Sequence, residues 1–388
     1  MNTLYNIIGL PFGYLMRLIY MFIPNYAWAI IIFTLVTKLL FFPISYKTQK
    51  GAARMRLLQP KIAKLQKSYA SNPTLLQQKT QELYAQEGYN PMSSCLPSII
   101  QMLLLFGVID VVYKPITHIL HMGKDIISAA TTKASELVTS LGLSINGGKG
   151  FDTGNLRNEL FTMEILEKHP DEFGSISSGF AEKVSEFTQH FTLFGANLGK
   201  TPTMSPDSWS KEAVILAIIP WLAGLAQLLV SLYSMYFQKK TNPTQQAGGG
   251  CMVIMMLLMP ILSIVWGFSL PAGVGFYWIW SSLFSFLITF SLNKYFTLER
   301  ITVINEKEKE KARIYAEKHP EKKTFMQKML EQQAALEQQS GGAGTKPNGE
   351  KMSRSEQNKA NRDAIKEARR RMAEKYGDVY DENDDNDD

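Results

Sequence analysis

The sequence predicts an all-α integral membrane protein. Five transmembrane helices surround a hydrophilic groove, with a cytoplasmic helical hairpin and an N-terminal interfacial helix. Three observations predict it. Five apolar runs, at 24–46, 91–113, 213–237, 251–270 and 273–294, each reach the roughly 20 residues that cross a bilayer. Polar side chains recur on single faces of these runs, among them a lysine. Positive charge is also divided unevenly among the loops. The mean hydropathy near zero hides this pattern, because very apolar runs are averaged with very polar segments.

The chain of 388 residues opens with an apolar stretch, 1–23, broken by Gly9, Pro11 and Gly13 and carrying Arg17. The breaks favour an amphipathic helix lying in the interface over a further span. The start lacks a basic signal peptide, a lipoprotein cysteine and an Arg- and Ser-rich transit pattern. A bacterial plasma membrane is the expected location.

The first span, 24–46, carries Lys38 well inside its apolar run. A charge at that depth costs roughly 2.5–3.5 kcal/mol, so it is expected to face protein or water. Thr34, Thr37, Lys38, Phe41 and Ser45 fall on one helical face, and all but Phe41 are polar. Lipid gives such a stripe no partners.

The next segment, 47–90, has eight cations (Lys47, Lys50, Arg54, Arg56, Lys61, Lys64, Lys67 and Lys79) against Glu82 and Glu87. Pro60 and the turn at Ser71-Asn72-Pro73 divide it, and helices over 51–70 and 74–86 read as a hairpin. A short basic loop belongs in the cytoplasm. That places the N-terminus outside. The second span, 91–113, returns outward, and 114–212 is extracytoplasmic, with eleven acids and seven bases between Ile116 and Ser210. Its Gly-rich middle, 144–155, reads as a loop between short helices. The third span, 213–237, runs inward to a cytoplasmic loop at 238–250. The fourth and fifth, 251–270 and 273–294, turn tightly outside. The remainder, 295–388, is a cytoplasmic tail, helical over 306–339 and otherwise disordered by composition. It holds a basic cluster of Lys366, Arg369, Arg370, Arg371 and Lys375 before an acidic end.

Polar stripes recur beyond the first span. Gln227, Ser231 and Ser234 share a face in the third; Trp278, Ser281, Ser282, Ser285 and Thr289 share one in the fifth and continue towards Asn293; the second contains Gln101. Any one of these can merely bond its own backbone or allow close packing. Together with Lys38 they predict a shared hydrophilic cavity. Asp110 and Lys114 are spaced for a local ion pair. His118 and His121, two lone histidines in an outer loop, do not make a metal site. Cys95 and Cys251 read as free thiols. No nucleophile elbow, phosphate loop, H-E-x-x-H or paired intramembrane aspartates occur, so the sequence predicts no enzyme and no cofactor.

Four stretches carry a resemblance: TKLLFFPIS in the first span, ARMRLLQPKIAKLQKSY in the hairpin, EGYNPMSSCLPSIIQM entering the second span, and LMPILSIVWGFSLPAGVGFYWIWSSLFSF across the fourth and fifth. They are similar to the YidC-type membrane protein insertases and their mitochondrial and chloroplast relatives. The resemblance covers the first two spans with the hairpin, and the last three spans; the outer segment and the tail lie outside it. It implies a groove open to the cytoplasm and to lipid, closed outside. Lys38 stands at the position where the family usually has arginine, which keeps the charge but loses the planar fork of donors. The second span reads QML where many members read QMP, and the family's large periplasmic or lipoprotein-type N-terminal additions are missing.

The expected function is therefore insertion of nascent membrane proteins into the bilayer, alone or with the Sec translocon. The groove residues would be Lys38, Thr34, Thr37, Gln101, Gln227, Ser231, Trp278, Ser281, Ser282 and Ser285. Arg54, Arg56, Lys61 and Lys64 of the hairpin would receive substrate, and the basic tail would touch ribosomal RNA phosphates. The alternative is a secondary transporter of an anionic solute, with Lys38 as its binding residue. That reading leaves the large cytoplasmic hairpin without a purpose, and the chain shows no internal repeat.

Overall fold

A computed structural model describes residues 2–70, 72–89, 96–143, 156–206, 208–241 and 249–318. Helices dominate these residues, with one two-residue-per-strand β-hairpin. The chain divides into two compact units. The first comprises 1–49, 95–241 and 247–295; the second comprises 50–94, 242–246 and 296–388. Cys95, the 144–155 loop, most of the 238–250 loop, and the tail from 319 with its basic cluster lie outside the described residues, as does the Cys251 side chain.

In the first unit, α1 (Asn2–Phe22) runs unbroken through Pro11. It packs on α2 (Tyr26–Leu40) and α5 (Leu96–Tyr113). The contact with α5 depends on glycine. A Cβ at Gly9 would collide with the Asp110 carboxylate, and one at Gly13 with the His118 ring. α2 begins where Asn25, after Pro24, accepts the Trp28 N–H through its side chain (3.2 Å). It does not continue straight to residue 46. A 58° bend at Phe41 separates it from α3 (Phe42–Ser68). Pro43 is the physical cause: it has no N–H for the Leu39 carbonyl, and its ring crowds that turn.

α10 (Lys211–Thr241) and α12 (Ala272–Tyr295) are long and apolar enough to cross a membrane, and the bent α2–α3 pair passes the same test as one broken span. Shorter apolar helices occupy 99–113 and 256–267, within α5 and α11 (Gly249–Gly267). α10 packs on both α11 and α12. Gly224 allows the close approach of α11, since a Cβ there would strike Ile264 and come within 3.2 Å of the Pro260 carbonyl.

The described parts of the 114–212 segment, 114–143 and 156–206, form a packed structure. The short helix α6 (Pro115–His118) is followed by α7 (Lys124–Leu141), α8 (Asn158–Lys168), a 3-10 turn (Pro170–Phe173) and α9 (Phe180–His190). The antiparallel hairpin of β1 (Thr192–Leu193) and β2 (Ala196–Asn197) completes it. Phe173, Phe180, Phe187 and Phe191 are fully buried in one core shared with Tyr26 and Tyr277. The Tyr26 ring lies 4.1 Å from that of Phe191 and 6.1 Å from that of Phe187. The segment also caps the start of α12. The Ala272 and Gly273 N–H groups, which have no partner inside their own helix, donate to the carbonyls of Lys200 and Leu198 (2.9 and 2.8 Å).

The second unit contains the rest of α3, α4 (Pro73–Gln86) and α13 (Leu298–Lys318). Leu58, Ile62 and Tyr89 form its small apolar core with Met55, Leu83 and Tyr84.

Candidate functional site

Lys38 sits near the C-terminal end of α2, 8% exposed. Its ammonium donates to the Ser285 hydroxyl of α12 (2.8 Å) and reaches the Gln101 amide oxygen of α5 (3.5 Å). Three helices thus converge on one cation. Neither oxygen carries a formal charge, and among the described residues Lys38 has no carboxylate partner. A cation held this way keeps an unspent attraction for an acidic group.

One turn earlier in α12, the Ser282 hydroxyl donates to the Gln227 amide oxygen of α10 (3.1 Å). Ser281 and Ser282 are buried, Ser231 is buried on α10, and Trp278 is half-buried with its ring 6.4 Å from that of Trp266. The buried Tyr277 hydroxyl lies beside Ser281 and Gln101. Beyond the bend, the Gln49 amide of α3 approaches the Thr289 hydroxyl of α12 (3.5 Å). The sequence-predicted residues Lys38, Gln101, Ser285, Gln227 and Ser282 are therefore brought together on α2, α5, α10 and α12.

Thr34 and Thr37 behave differently. Both are buried, and their hydroxyls bond backward to their own helix, Thr34 to the Ile30 carbonyl (2.6 Å) and Thr37 to those of Phe33 and Thr34 (2.9 Å each). They share the face of Lys38 without offering a hydroxyl proton to anything beyond the helix.

In the second unit, Arg54 is built into the protein. It is buried, and its guanidinium donates to the Asn305 side chain (2.8 Å) and to the carbonyls of Glu87 and Gly88 (3.0 and 3.2 Å), with the Tyr89 ring 5.9 Å away. Burial pulls its pKa down. Lys61 pairs with Glu87, which also takes Lys309 (2.6 Å), and Lys50 pairs with Glu308 (2.8 Å). Burial raises the Glu87 carboxyl, but the hydrogen bonds from Lys309 and Lys61 outweigh it and hold it below the usual carboxylate range. The hydrogen bond from Lys50 likewise holds Glu308 low against its burial. Lys64 is exposed and Arg56 half-buried.

Two features escaped sequence reasoning. Asp110 does take Lys114 (2.6 Å), but it also takes His118 (2.7 Å). His121 instead lies against the Tyr14 ring, 5.8 Å away. Nearby, the buried Glu159 carboxylate accepts both the N–H and the hydroxyl of Thr117, and burial pushes its pKa up. The i, i+4, i+8 spacing of Asp110, Lys114 and His118 was the available signal. The second feature is α13, whose Asn305, Glu308 and Lys309 bind hairpin residues more than 200 positions away.

Residues 18–299 match the family described as 60Kd inner membrane protein. The chain is 39% identical over 103 residues to a membrane protein insertase YidC of Granulibacter bethesdensis, covering 26% of this chain and 18% of that protein. It is 26% identical over 277 residues to the membrane protein insertase YidC of Brucella suis, covering 71% of this chain and 34% of the relative. The corresponding figures for the Pelodictyon phaeoclathratiforme protein of the same name are 25% over 284 residues, 73% and 36%. The matched stretches thus span about a third or less of these relatives' own length.

Proposed function

The chain belongs to the 60Kd inner membrane protein family, and from that premise we infer that it inserts nascent membrane proteins into the lipid bilayer. The observation that carries this reading is Lys38 of α2, a buried cation held by Ser285 of α12 and Gln101 of α5. Five transmembrane helices, corresponding to α2 with the start of α3, α5, α10, α11 and α12, enclose the groove, with the N-terminus outside and the C-terminus in the cytoplasm of a bacterium. An acidic flank of the substrate enters from the cytoplasm and is attracted to Lys38. Its apolar segment meanwhile moves along the lipid-facing side of α10 and α12. Gln101, Gln227, Ser231, Ser281, Ser282 and Ser285 supply hydrogen bonds that lower the cost of taking polar groups into hydrocarbon. Burial of the apolar segment in lipid drives release, and no nucleotide is consumed.

Lys61, Lys64 and Arg56 line the receiving hairpin, which Arg54 braces. The basic tail contacts ribosomal RNA, and the protein works alone or beside the Sec translocon. Transport of an anionic solute finds no support among the relatives, whose names all describe insertion.

The test is reconstitution of the purified protein into liposomes with a small single-span substrate bearing an acidic N-terminal flank. Protease protection of that flank should appear in proteoliposomes and not in protein-free vesicles. Equal protection in both would remove the insertase reading.

A further inference from the structure

A cleft of about 840 Å³ opens at the outer end of the α10–α12 group, between α8, the 197–203 strand and loop, and the turn joining α11 to α12. Its polar wall carries Arg157, Lys200, Thr201 and Thr203; its apolar wall includes Phe161 and Phe268. Nothing in the insertion mechanism uses it.

Arg157 is held in a fixed orientation. Its guanidinium donates to the Ser269 carbonyl (2.6 Å) and to the Thr201 hydroxyl (3.2 Å), and lies 5.3 Å from the centre of the Tyr113 ring. These contacts fix a guanidinium charge at the cleft wall, and such a charge suits the oxygens of a phosphate. Lys200, paired with Glu212 (2.9 Å), adds a second cation. The lone acid on the wall, Glu164, is paired with Lys168 (2.8 Å). The cleft lies where α12 begins at Ala272 and α11 has just ended at Gly267. Its apolar wall continues outward: Phe268 packs edge-to-face on Trp221 (6.1 Å), and Trp221 and Trp266 are each about half exposed on helices of the α10–α12 group. Trp266 stands one residue before the end of α11, and exposed tryptophans at span ends mark the headgroup level.

We propose that this cleft binds the headgroup of an anionic phospholipid. The phosphate sits on Arg157 and Lys200, and the glycerol end lies against Phe161 and Phe268. The inference rests on the reading that α10 and α12 cross the bilayer, and does not depend on insertion itself. An acidic polypeptide could satisfy the cations, but the continuity with exposed tryptophans on the helix faces favours a lipid.

The test is native mass spectrometry of the full-length chain in detergent micelles, titrated with phosphatidylglycerol or phosphatidylcholine. Wild type should retain one phosphatidylglycerol at least fivefold more than phosphatidylcholine. Lys200→Gln should erode that preference about threefold, and Arg157→Gln should abolish it. Because Arg157 also braces the α11–α12 turn, its variant is scored only if its melting temperature matches wild type; Lys200→Gln carries the test otherwise. Equal retention of both lipids by wild type, or unchanged retention in Lys200→Gln, overturns the proposal. Displacement of the lipid by millimolar inorganic phosphate reassigns the cleft to a free anion, and displacement by an acidic peptide to a polypeptide; either outcome overturns the lipid reading. Liposome insertion measured on the same variants separates the two claims: intact insertion with lost lipid preference leaves the insertase reading standing.

Discussion

At Lys38, one ammonium group faces two neutral oxygens, and a single partner decides how well it is held. Removing the Ser285 hydroxyl should leave the cation less fixed without changing its charge. Ser285→Ala is therefore expected to cost insertion only a few-fold, a loss of about 1 kcal/mol, with folding retained by thermal melting. Arg54 makes the opposite prediction. Arg54→Ala would strip partners from the Asn305 side chain and from the Glu87 and Gly88 carbonyls together. It should destabilise the second unit by about 2–3 kcal/mol, read as faster hydrogen exchange in α4 and α13. The Lys38 set was legible because a lysine in an apolar run demands polar neighbours, and only a few spans offer them. The role of Arg54 was not. One cation among eight in a basic segment looks solvated, and its partner Asn305 lies in a stretch whose composition promised no packing.

At the scale of elements, α1 shows how glycine can be read two ways. Gly9 and Gly13 look like helix breakers in the sequence, yet α1 is continuous and uses both to press against Asp110 and His118. Gly13→Ala should therefore lower stability by about 1–3 kcal/mol through overpacking. Gly123→Ala, where a Cβ would meet nothing within 4 Å, should cost less, limited to the weaker N-cap that alanine makes for α7. The grip of α13 on the hairpin has its own signature. Glu87 and Glu308 are held below their ordinary carboxylate range, so their pairs contribute stability above about pH 4.3, the unfolded value. That contribution is lost as pH falls through the lower folded value. Amides of Leu298–Lys318 should exchange faster, beyond the intrinsic pH effect, once the pH drops below about 4; constant protection would argue against the latch. The membrane-length apolar runs of α10 and α12 were legible from length and composition. The 58° bend was half visible in Pro43. The aromatic core of the 114–212 segment was not, because its phenylalanines are scattered among polar residues at ordinary globular spacing.

For the whole molecule, the account rests on charge inside the apolar part of the protein. The family match spans most of the chain, while the relatives it matches are far longer. Activity must therefore be measured on this chain itself. The most direct measurement compares insertion of an acidic-flanked single-span substrate by liposomes carrying wild type, Lys38→Arg, Lys38→Ala or Lys38→Glu. The account predicts near-wild-type insertion by Arg, at least a tenfold loss in Ala, and a larger loss in Glu. Equal insertion by all four proteins would contradict it.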